Sequence, residues 1–481
     1  MRQLTSLDAQ FLALESSHQS GHVAGIAVLD PSTTPSGKLD LNDLMALMEE
    51  RLPLLPPMRW RLAEVPFGLD HPYWIDDPEF DLSFHVRELA LPPSGTEATL
   101  AEQVARIVAR PLDRSRPLWE LYLIHGLPDG NVGLLTKIHH SVVDGLSGAE
   151  IMGVLFDLTP EGREAPEPSN GFGERKPGEL EMLLRGLAGL PKYPLRLLRA
   201  LPSTLPNLDE TPVFSALPGS GLVARIAERL ERALLLSDGG LLERSELKAP
   251  RTSFNGKVTP HRRVVFGQLS LEEVKRIKHE YGVSVNDVVV SICAGAVRRW
   301  LLEHEELPDE PLVAQIPISV RTSEQAGTYG NRIMLMGAPL FTNIADPIER
   351  LRGTHAALGN MKERHRAMPA ELLQDANNFI PPAVFARAAR TSLSFASSSR
   401  GRPTWNLVIS NVPGPQVPLY CAGARIEAHY PVSVITDGMG LNITVMSYCG
   451  HMDFGIVADR DQMPDAKRLI DWLKEELAEL A

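Results

Sequence analysis

The stretch His139-His140-Ser141-Val142-Val143-Asp144-Gly145 carries the residue types that can do chemistry at neutral pH. Two adjacent imidazoles are followed, four residues after the second, by a carboxylate and then a glycine. An unperturbed imidazole titrates near about 6.5, which suits a general base. Three readings compete. The plainest is a pair of polar loop histidines. The second is a metal site, since two His and one Asp can hold iron or zinc. Adjacent residues on extended backbone point to opposite faces, however, and no HExxH stands nearby. The third is a single base: one imidazole faces a tunnel, its neighbour packs behind it, and Asp144 fixes the turn that Gly145 permits. A Ser-His-Asp hydrolase is disfavoured, because the chain has no G-x-S-x-G elbow.

Such a motif needs a strand end and a helix start. The apolar run Val132-Gly133-Leu134-Leu135 enters it, and Ile151, Met152, Val154 and Leu155 leave it. Strands are expected at Val23–Leu29, Phe84–Leu89 (as an edge), Trp119–Ile124 and Val132–His139, the last two as neighbours. Helices are expected at Leu41–Arg51, closed by Pro53, Pro56 and Pro57, and at Thr99–Ala109.

Composition changes after Leu158. Residues 159–178 are rich in Pro, Glu and Gly and read as a linker. Leu180–Leu201 then interleaves leucines with Arg185, Lys192, Arg196 and Arg199. That pattern suits an interfacial helix, with an apolar face for acyl chains and a basic one for headgroups. It equally suits a helix packed on a core, and Pro191 and Pro194 interrupt it. A second helical stretch is expected at Leu222–Leu235.

From Ser253 strands and helices alternate again. Strands are expected at Val264–Phe266, Leu312–Val320, Met334–Phe341, Trp405–Ser410, Ile426–Val434, Leu441–Tyr448 and Met452–Val457. Helices are expected at Leu271–Tyr281, Asn286–Leu301 with Asn286 as cap, Pro347–Met361 capped by Asp346, Ala370–Ala388 and Pro464–Leu480. The pattern predicts a two-domain α/β protein, divided as 1–158, a linker and amphipathic segment over 159–252, and 253–481.

The chain has 481 residues, 43% hydrophobic and 22% charged, an ordinary globular balance. Its net charge of -12 argues against a nucleic-acid partner. Cys293, Cys421 and Cys449 are scattered and read as buried reduced thiols in a cytoplasmic protein. The N-terminus has no apolar signal region, and no run of about 18 apolar residues could span a bilayer. Any membrane association is therefore expected to be peripheral.

HHxxxDG resembles the signature of acyltransferases related to chloramphenicol acetyltransferase. Pro117-Leu118-Trp119-Glu120 with Ile124-His125-Gly126-Leu127 resembles the PLWxxxxxxGL element of bacterial wax ester synthase/acyl-CoA:diacylglycerol acyltransferases. Ser6-Leu7-Asp8, Phe11-Leu12 and Glu15 resemble their N-terminus. Thr252–Gly256 with Arg262-Arg263, Val285–Val289, Gly330-Asn331-Arg332 and Ser410–Pro415 resemble further blocks, in the family's order. The resemblance runs nearly end to end.

It implies two chloramphenicol acetyltransferase-like α/β sandwich domains with an active-site tunnel between them. It implies acyl transfer from acyl-CoA to diacylglycerol or a long-chain alcohol, with acyl-CoA as co-substrate and no cofactor or metal. His140 would take the acceptor's proton, so that the hydroxyl attacks the thioester without a covalent intermediate. His139 would orient the loop or contribute to the tunnel wall. Asp144 would turn away from the site and pair with a buried arginine, for which Arg321 is the first candidate and Arg332 the second. From the residues themselves, Trp119 reads as core packing and Asp287 as an acid in the first turn of its helix, both structural supports.

The oxyanion donor is a separate hypothesis. Ser410 and Asn411 end a strand before the rigid Val412-Pro413-Gly414-Pro415 turn, with turn chemistry as the alternative. Asn286 is a second candidate. No Walker or GxGxxG pattern is present, so scattered basic residues would meet the CoA phosphates. The expected location is cytoplasmic, peripheral to the inner face of the plasma membrane or to lipid droplets. Two other readings stay open: a condensation-type enzyme using a carrier-protein thioester, and a non-catalytic lipid-binding or lipid-droplet protein.

Overall fold

The computed structural model describes residues 1–93, 95–143, 148–163, 177–189, 249–319, 333–366, 394, 397–398 and 401–481. In the first half these form β1 (Arg2–Gln3), α1 (Ser6–Leu14), β2 (His22–Asp30), α2 (Leu41–Arg51), β3 (Trp60–Ala63), β4 (Tyr73–Asp76), α3 (Leu82–His85), β5 (Val86–Ala90), α4 (Glu97–Val108), β6 (Trp119–His125) and β7 (Val132–His139). β7 runs directly into α5 (His140–Val143), and α6 (Gly148–Leu155) and α7 (Glu179–Gly189) come next. The second half holds β8 (Arg262–Ser270), α8 (Leu271–Tyr281), α9 (Val285–Glu303), β9 (Leu312–Ser319), β10 (Ile333–Leu340) and α10 (Pro347–Arg366). It closes with β11 (Leu407–Pro413), β12 (Tyr420–Cys421), β13 (Ala424–Val432), β14 (Leu441–Tyr448), β15 (His451–Asp459) and α11 (Arg468–Glu479).

Two six-stranded sheets dominate, in the orders β12-β13-β2-β7-β6-β5 and β10-β9-β11-β14-β15-β8, beside a small β1-β4-β3 sheet. β6 and β7 are antiparallel neighbours, as the sequence predicts. β12 and β13 come from the second half of the chain yet complete the first sheet, β13 pairing antiparallel with β2.

The first sheet buries one face against α2 and α6, through Leu134, Ile138, Leu44 and Met48. Its other face meets α4 and the second sheet through Ile26, Tyr122, Leu135, Val264, Phe266 and Val457. α4 supplies Leu100, Val104 and Ile107 to that layer, each such side chain contributing roughly 1.5–3 kcal/mol. α9 is the core helix of the second half, with Val289, Ile292, Cys293, Ala296 and Trp300 all buried. Where the sheets cross, a Cβ on Gly455 of β15 would lie 1.6 Å from the Pro431 carbonyl oxygen of β13. Beside that contact the Asp453 carboxylate accepts the His429 backbone N–H at 2.8 Å and Gln268 Nε2 at 2.8 Å.

Several element boundaries differ from expectation. The α9 cap is Ser284, not Asn286: Ser284 Oγ accepts the Asp287 N–H while Asp287 accepts the Ser284 N–H. This reciprocal box satisfies two otherwise orphaned donors, which a lone Asn cannot do. Residues 84–85 belong to α3, capped by Asp81, and the strand starts only at Val86, although it does lie at the sheet edge. β11 starts at Leu407 rather than Trp405, and α11 at Arg468 rather than Pro464. The helices expected at Leu222–Leu235 and Ala370–Ala388, and residues 190–201, lie outside the described residues.

Candidate active site

Antiparallel pairing of β2 with β7 sets His22 opposite His139 at the strand end. The chain then bends: the His139 N–H reaches Leu118 O and the His140 N–H reaches Gly21 O, each at 2.9 Å. Ser141 folds back so that its backbone N–H donates to His139 Nδ1 at 3.1 Å, with its Oγ 2.6 Å from the same atom. A backbone N–H can only donate, so Nδ1 is the unprotonated nitrogen and the proton sits on Nε2. That nitrogen faces Glu15 Oε1 at 3.3 Å.

Glu15 is held from three sides. Its Oε1 also accepts the Gly21 N–H at 2.8 Å, and its Oε2 accepts Arg114 Nη2 at 2.7 Å. Burial alone would raise its pKa, but His139, the Gly21 amide and Arg114 together hold it at about 2. The carboxylate is therefore charged at every working pH. His139 itself is almost fully buried. On its face of the sheet, burial and the nearby Lys137 hold His22 neutral, down at about 3.

His140 has a different setting. Its ring stacks on Phe11 of α1, with centroids 4.5 Å apart and planes 13° from parallel. Its Nδ1 is enclosed and has no hydrogen-bond partner, whereas Nε2 is not enclosed and the residue keeps part of its surface open. Desolvation, with His139 adding to it, pushes its pKa down to about 4. The imidazole is thus neutral at pH 7, with a free lone pair for a proton. The chemistry this permits is proton abstraction at His140, backed by a buried Glu15–His139 pair that holds the bend.

Asp144, Gly145, Arg321 and Arg332 lie outside the described residues, and so does the expected Asp144–Arg321 ion pair. Asn286 and Asn411 are brought together from distant segments, Asn411 Nδ2 donating to Asn286 Oδ1 at 3.4 Å. Ser410 and Asn411 face opposite sides of β11, as consecutive strand residues must. Ser410 falls in the row Ser410–Thr444–Gly455–Phe266, whose Gly455 and Phe266 meet the first sheet, while Asn411 turns to the start of α9. Asp287 is buried, caps α9 and accepts from or pairs with His355 Nδ1 at 2.7 Å. Trp119 is fully buried, stacks on His85 at 4.4 Å and donates Nε1–H to Met58 O.

Sequence reasoning gave no role to Phe11, Glu15, Gly21, Arg114 or Ser141. Phe11 and Glu15 did stand in the block that resembles the family's N-terminus, which was the signal available for them. Cys293 and Cys421 are buried free thiols, whereas Cys449 is only half-buried. Among the described residues no group of three His, Cys, Asp or Glu side chains is placed to hold a metal, and no single helix is long and apolar enough to cross a membrane.

Residues 4–289 match the model of the wax ester synthase/diacylglycerol acyltransferase catalytic domain, and residues 329–481 match that of the WS/DGAT C-terminal domain. A Mycobacterium tuberculosis protein named as a diacylglycerol O-acyltransferase is 37% identical over 482 residues, spanning 100% of this chain and 90% of its own. A second one from that organism is 33% identical over 480 residues, spanning 98% of this chain and 97% of its own. Among solved structures, the wax ester synthase/diacylglycerol acyltransferase from Marinobacter aquaeolei VT8 superposes with a TM-score of 0.68 at 30% identity, covering 100% of this chain and 98% of that one. The first condensation domain of the CDA synthetase shares the fold, with a TM-score of 0.55 at 15% identity over 100% of this chain and 97% of that one.

Proposed function

The chain belongs to the wax ester synthase/diacylglycerol acyltransferase family, and on that premise we propose that it transfers an acyl group from acyl-CoA to the hydroxyl of diacylglycerol or a long-chain alcohol, with His140 as the general base. The observation that carries this reading is the state of His140: neutral, stacked in place on Phe11, and open at Nε2 alone. Nε2 takes the hydroxyl proton as the oxygen attacks the thioester carbon. The tetrahedral intermediate collapses, the C–S bond breaks, and the proton goes to the departing CoA thiolate. The thioester is already activated, so no acyl-enzyme is needed.

The developing oxyanion requires a donor. Asn286 is one candidate for that role. Its Oδ1 accepts from Asn411, which leaves its amide N–H groups to donate, and it lies in the first turn of α9, where the helix dipole favours negative charge. Ser410 is the alternative from the opposite face of β11. An Asn286→Ala variant that stays folded should lose roughly a hundredfold or more in kcat, the cost of one oxyanion donor. Full turnover in that variant together with loss in Ser410→Ala would move the role to Ser410.

We further propose that the acceptor is drawn from a lipid surface met by α7. That helix buries Met182, Gly186 and Gly189, with Gly186 against Val65 and Leu69 and Gly189 against Asp70, and shows Leu180, Leu184 and Leu187 to solvent. On the adjoining turn Phe67 is 83% exposed, at a φ of 60° that a bulky side chain rarely adopts. Co-flotation with phosphatidylcholine–phosphatidylglycerol vesicles should weaken in a Phe67→Ala/Leu184→Glu variant; undiminished binding would reject this surface.

Product identity tests the activity itself. Radiolabelled palmitoyl-CoA offered with diacylglycerol or hexadecanol should give triacylglycerol or wax ester. Acyl-CoA consumption with neither ester formed would defeat the reading.

A further inference from the structure

The two histidines rest on residues 16–21, a short strap between α1 and β2. Gly21 O accepts the His140 N–H, and the Gly21 N–H donates to the same Glu15 carboxylate that faces His139. The strap closes on itself through Ser16 N–H to Gln19 O at 2.8 Å and Gln19 Nε2 to Leu14 O at 3.1 Å. It packs closely at its end: a Cβ on Gly21 would lie 2.7 Å from His139 Nε2 and 3.0 Å from Phe11 O.

What holds the outer side of this strap comes from the other half of the chain. Asp437, in the turn between β13 and β14, presents Oδ2 to His18 Nε2 at 3.3 Å and donates its backbone N–H to Gln19 Oε1 at 3.0 Å. Its Oδ1 accepts the Val258 N–H at 3.0 Å, which ties the turn to the segment before β8. Arg262, at the start of β8, donates Nη2–H to His18 O at 2.6 Å and is itself anchored on Thr259 O. Gln19 is buried under these contacts.

We propose that Asp437 is a positioning residue for the reaction. With Arg262 it fixes the strap, so that the second half of the molecule sets where His139 and His140 stand in the first. The Gly21 carbonyl is one anchor of the bend at His140, and two side chains of the strap, His18 and Gln19, both end on Asp437. Docking of the halves is thereby coupled to assembly of the base. This inference rests on the assignment of His140 as the base.

The test uses the whole 481-residue chain and five variants: Asp437→Ala, Asp437→Asn, His18→Ala, the His18→Ala/Asp437→Ala double variant and His140→Ala. Asp437→Ala should lower kcat by about ten- to a hundredfold, the effect of holding a reacting group about 1 Å out of place. KM for acyl-CoA should stay within about twofold, since binding is not what is lost. Asp437→Asn keeps an oxygen for the Val258 N–H and should recover most of that loss. His18 is partly exposed, so His18→Ala should fold and report from the strap side even if Asp437→Ala folds poorly. It should lower kcat in the same direction, and the double variant should be no worse than Asp437→Ala. Hydrogen exchange should quicken at the Gly21 and His140 amides and not across the second sheet.

Wild-type kcat in His18→Ala or in a folded Asp437→Ala, or loss that only tracks the fraction of folded protein, overturns the positioning role. A His140→Ala variant that keeps its activity overturns the base assignment instead. An inactive His140→Ala beside fully active strap variants removes the positioning role alone.

Discussion

His139 and His140 share one backbone bend but not one environment. His139 is enclosed between Ser141 and a permanently charged Glu15. His140 faces Phe11 on one side and is half-buried, with Nδ1 enclosed and Nε2 not. Desolvation therefore decides how His140 titrates, and it favours the neutral base. The sign fixes a pH profile. A lowered pKa keeps the base competent until the pH falls through it, so kcat/KM should stay level down through about pH 6 and reach half its plateau near about 4. An acid limb centred near about 6.5 would mean an ordinary solvated imidazole and would contradict the burial. The motif itself was readable in the sequence, because two imidazoles, a carboxylate and a glycine at fixed spacing are local. The Glu15–Arg114 clamp was not, because it joins α1 to the segment before β6 and no local pattern records such a pairing.

The elements that carry this site are set by caps and close approaches. Leu41–Arg51, Val132–His139, Leu271–Tyr281 and Leu441–Tyr448 fall where apolar periodicity and flanking signals place them. α9 is capped by Ser284 rather than the expected Asn286, although the Ser284-x-x-Asp287 box is visible in the sequence. Ser and Asn are both good caps, and only the reciprocal Asp287 bond chooses between them. The approach of the strap to β7 is set by Gly21, whose absent side chain leaves the space that His139 fills. A Gly21→Ala substitution should lower kcat about a hundredfold by pushing the bend outward, while the far second sheet keeps its hydrogen-exchange protection. Unchanged kcat in a folded Gly21→Ala protein would mean that the strap does not locate the histidines.

At the scale of the molecule, the division into two halves is crossed by the chain itself. β12 and β13 leave the second half to finish the first sheet, and the sheets touch backbone to backbone at Gly455 and Pro431. The alternation of strands and helices made the α/β class legible, but strand exchange is a long-range pairing that periodicity does not encode. A Gly455→Ala substitution has nowhere to put a methyl group. It should destabilise the protein by about 3 kcal/mol, the upper end of overpacking, seen as a lower urea midpoint; an unchanged midpoint would show that the crossing is loose. The same crossing brings Asp437 to the strap beneath His140, so fold and chemistry meet at one junction. The central claim is that the open nitrogen of His140 drives ester formation. Its most direct test is the rate of ester synthesis by His140→Ala against wild type, at saturating acyl-CoA and alcohol, on protein of equal thermal stability. The account predicts a loss of about a hundred- to ten-thousandfold, the contribution of a placed general base. A His140→Ala enzyme within about threefold of wild type, well below any such contribution, would contradict it.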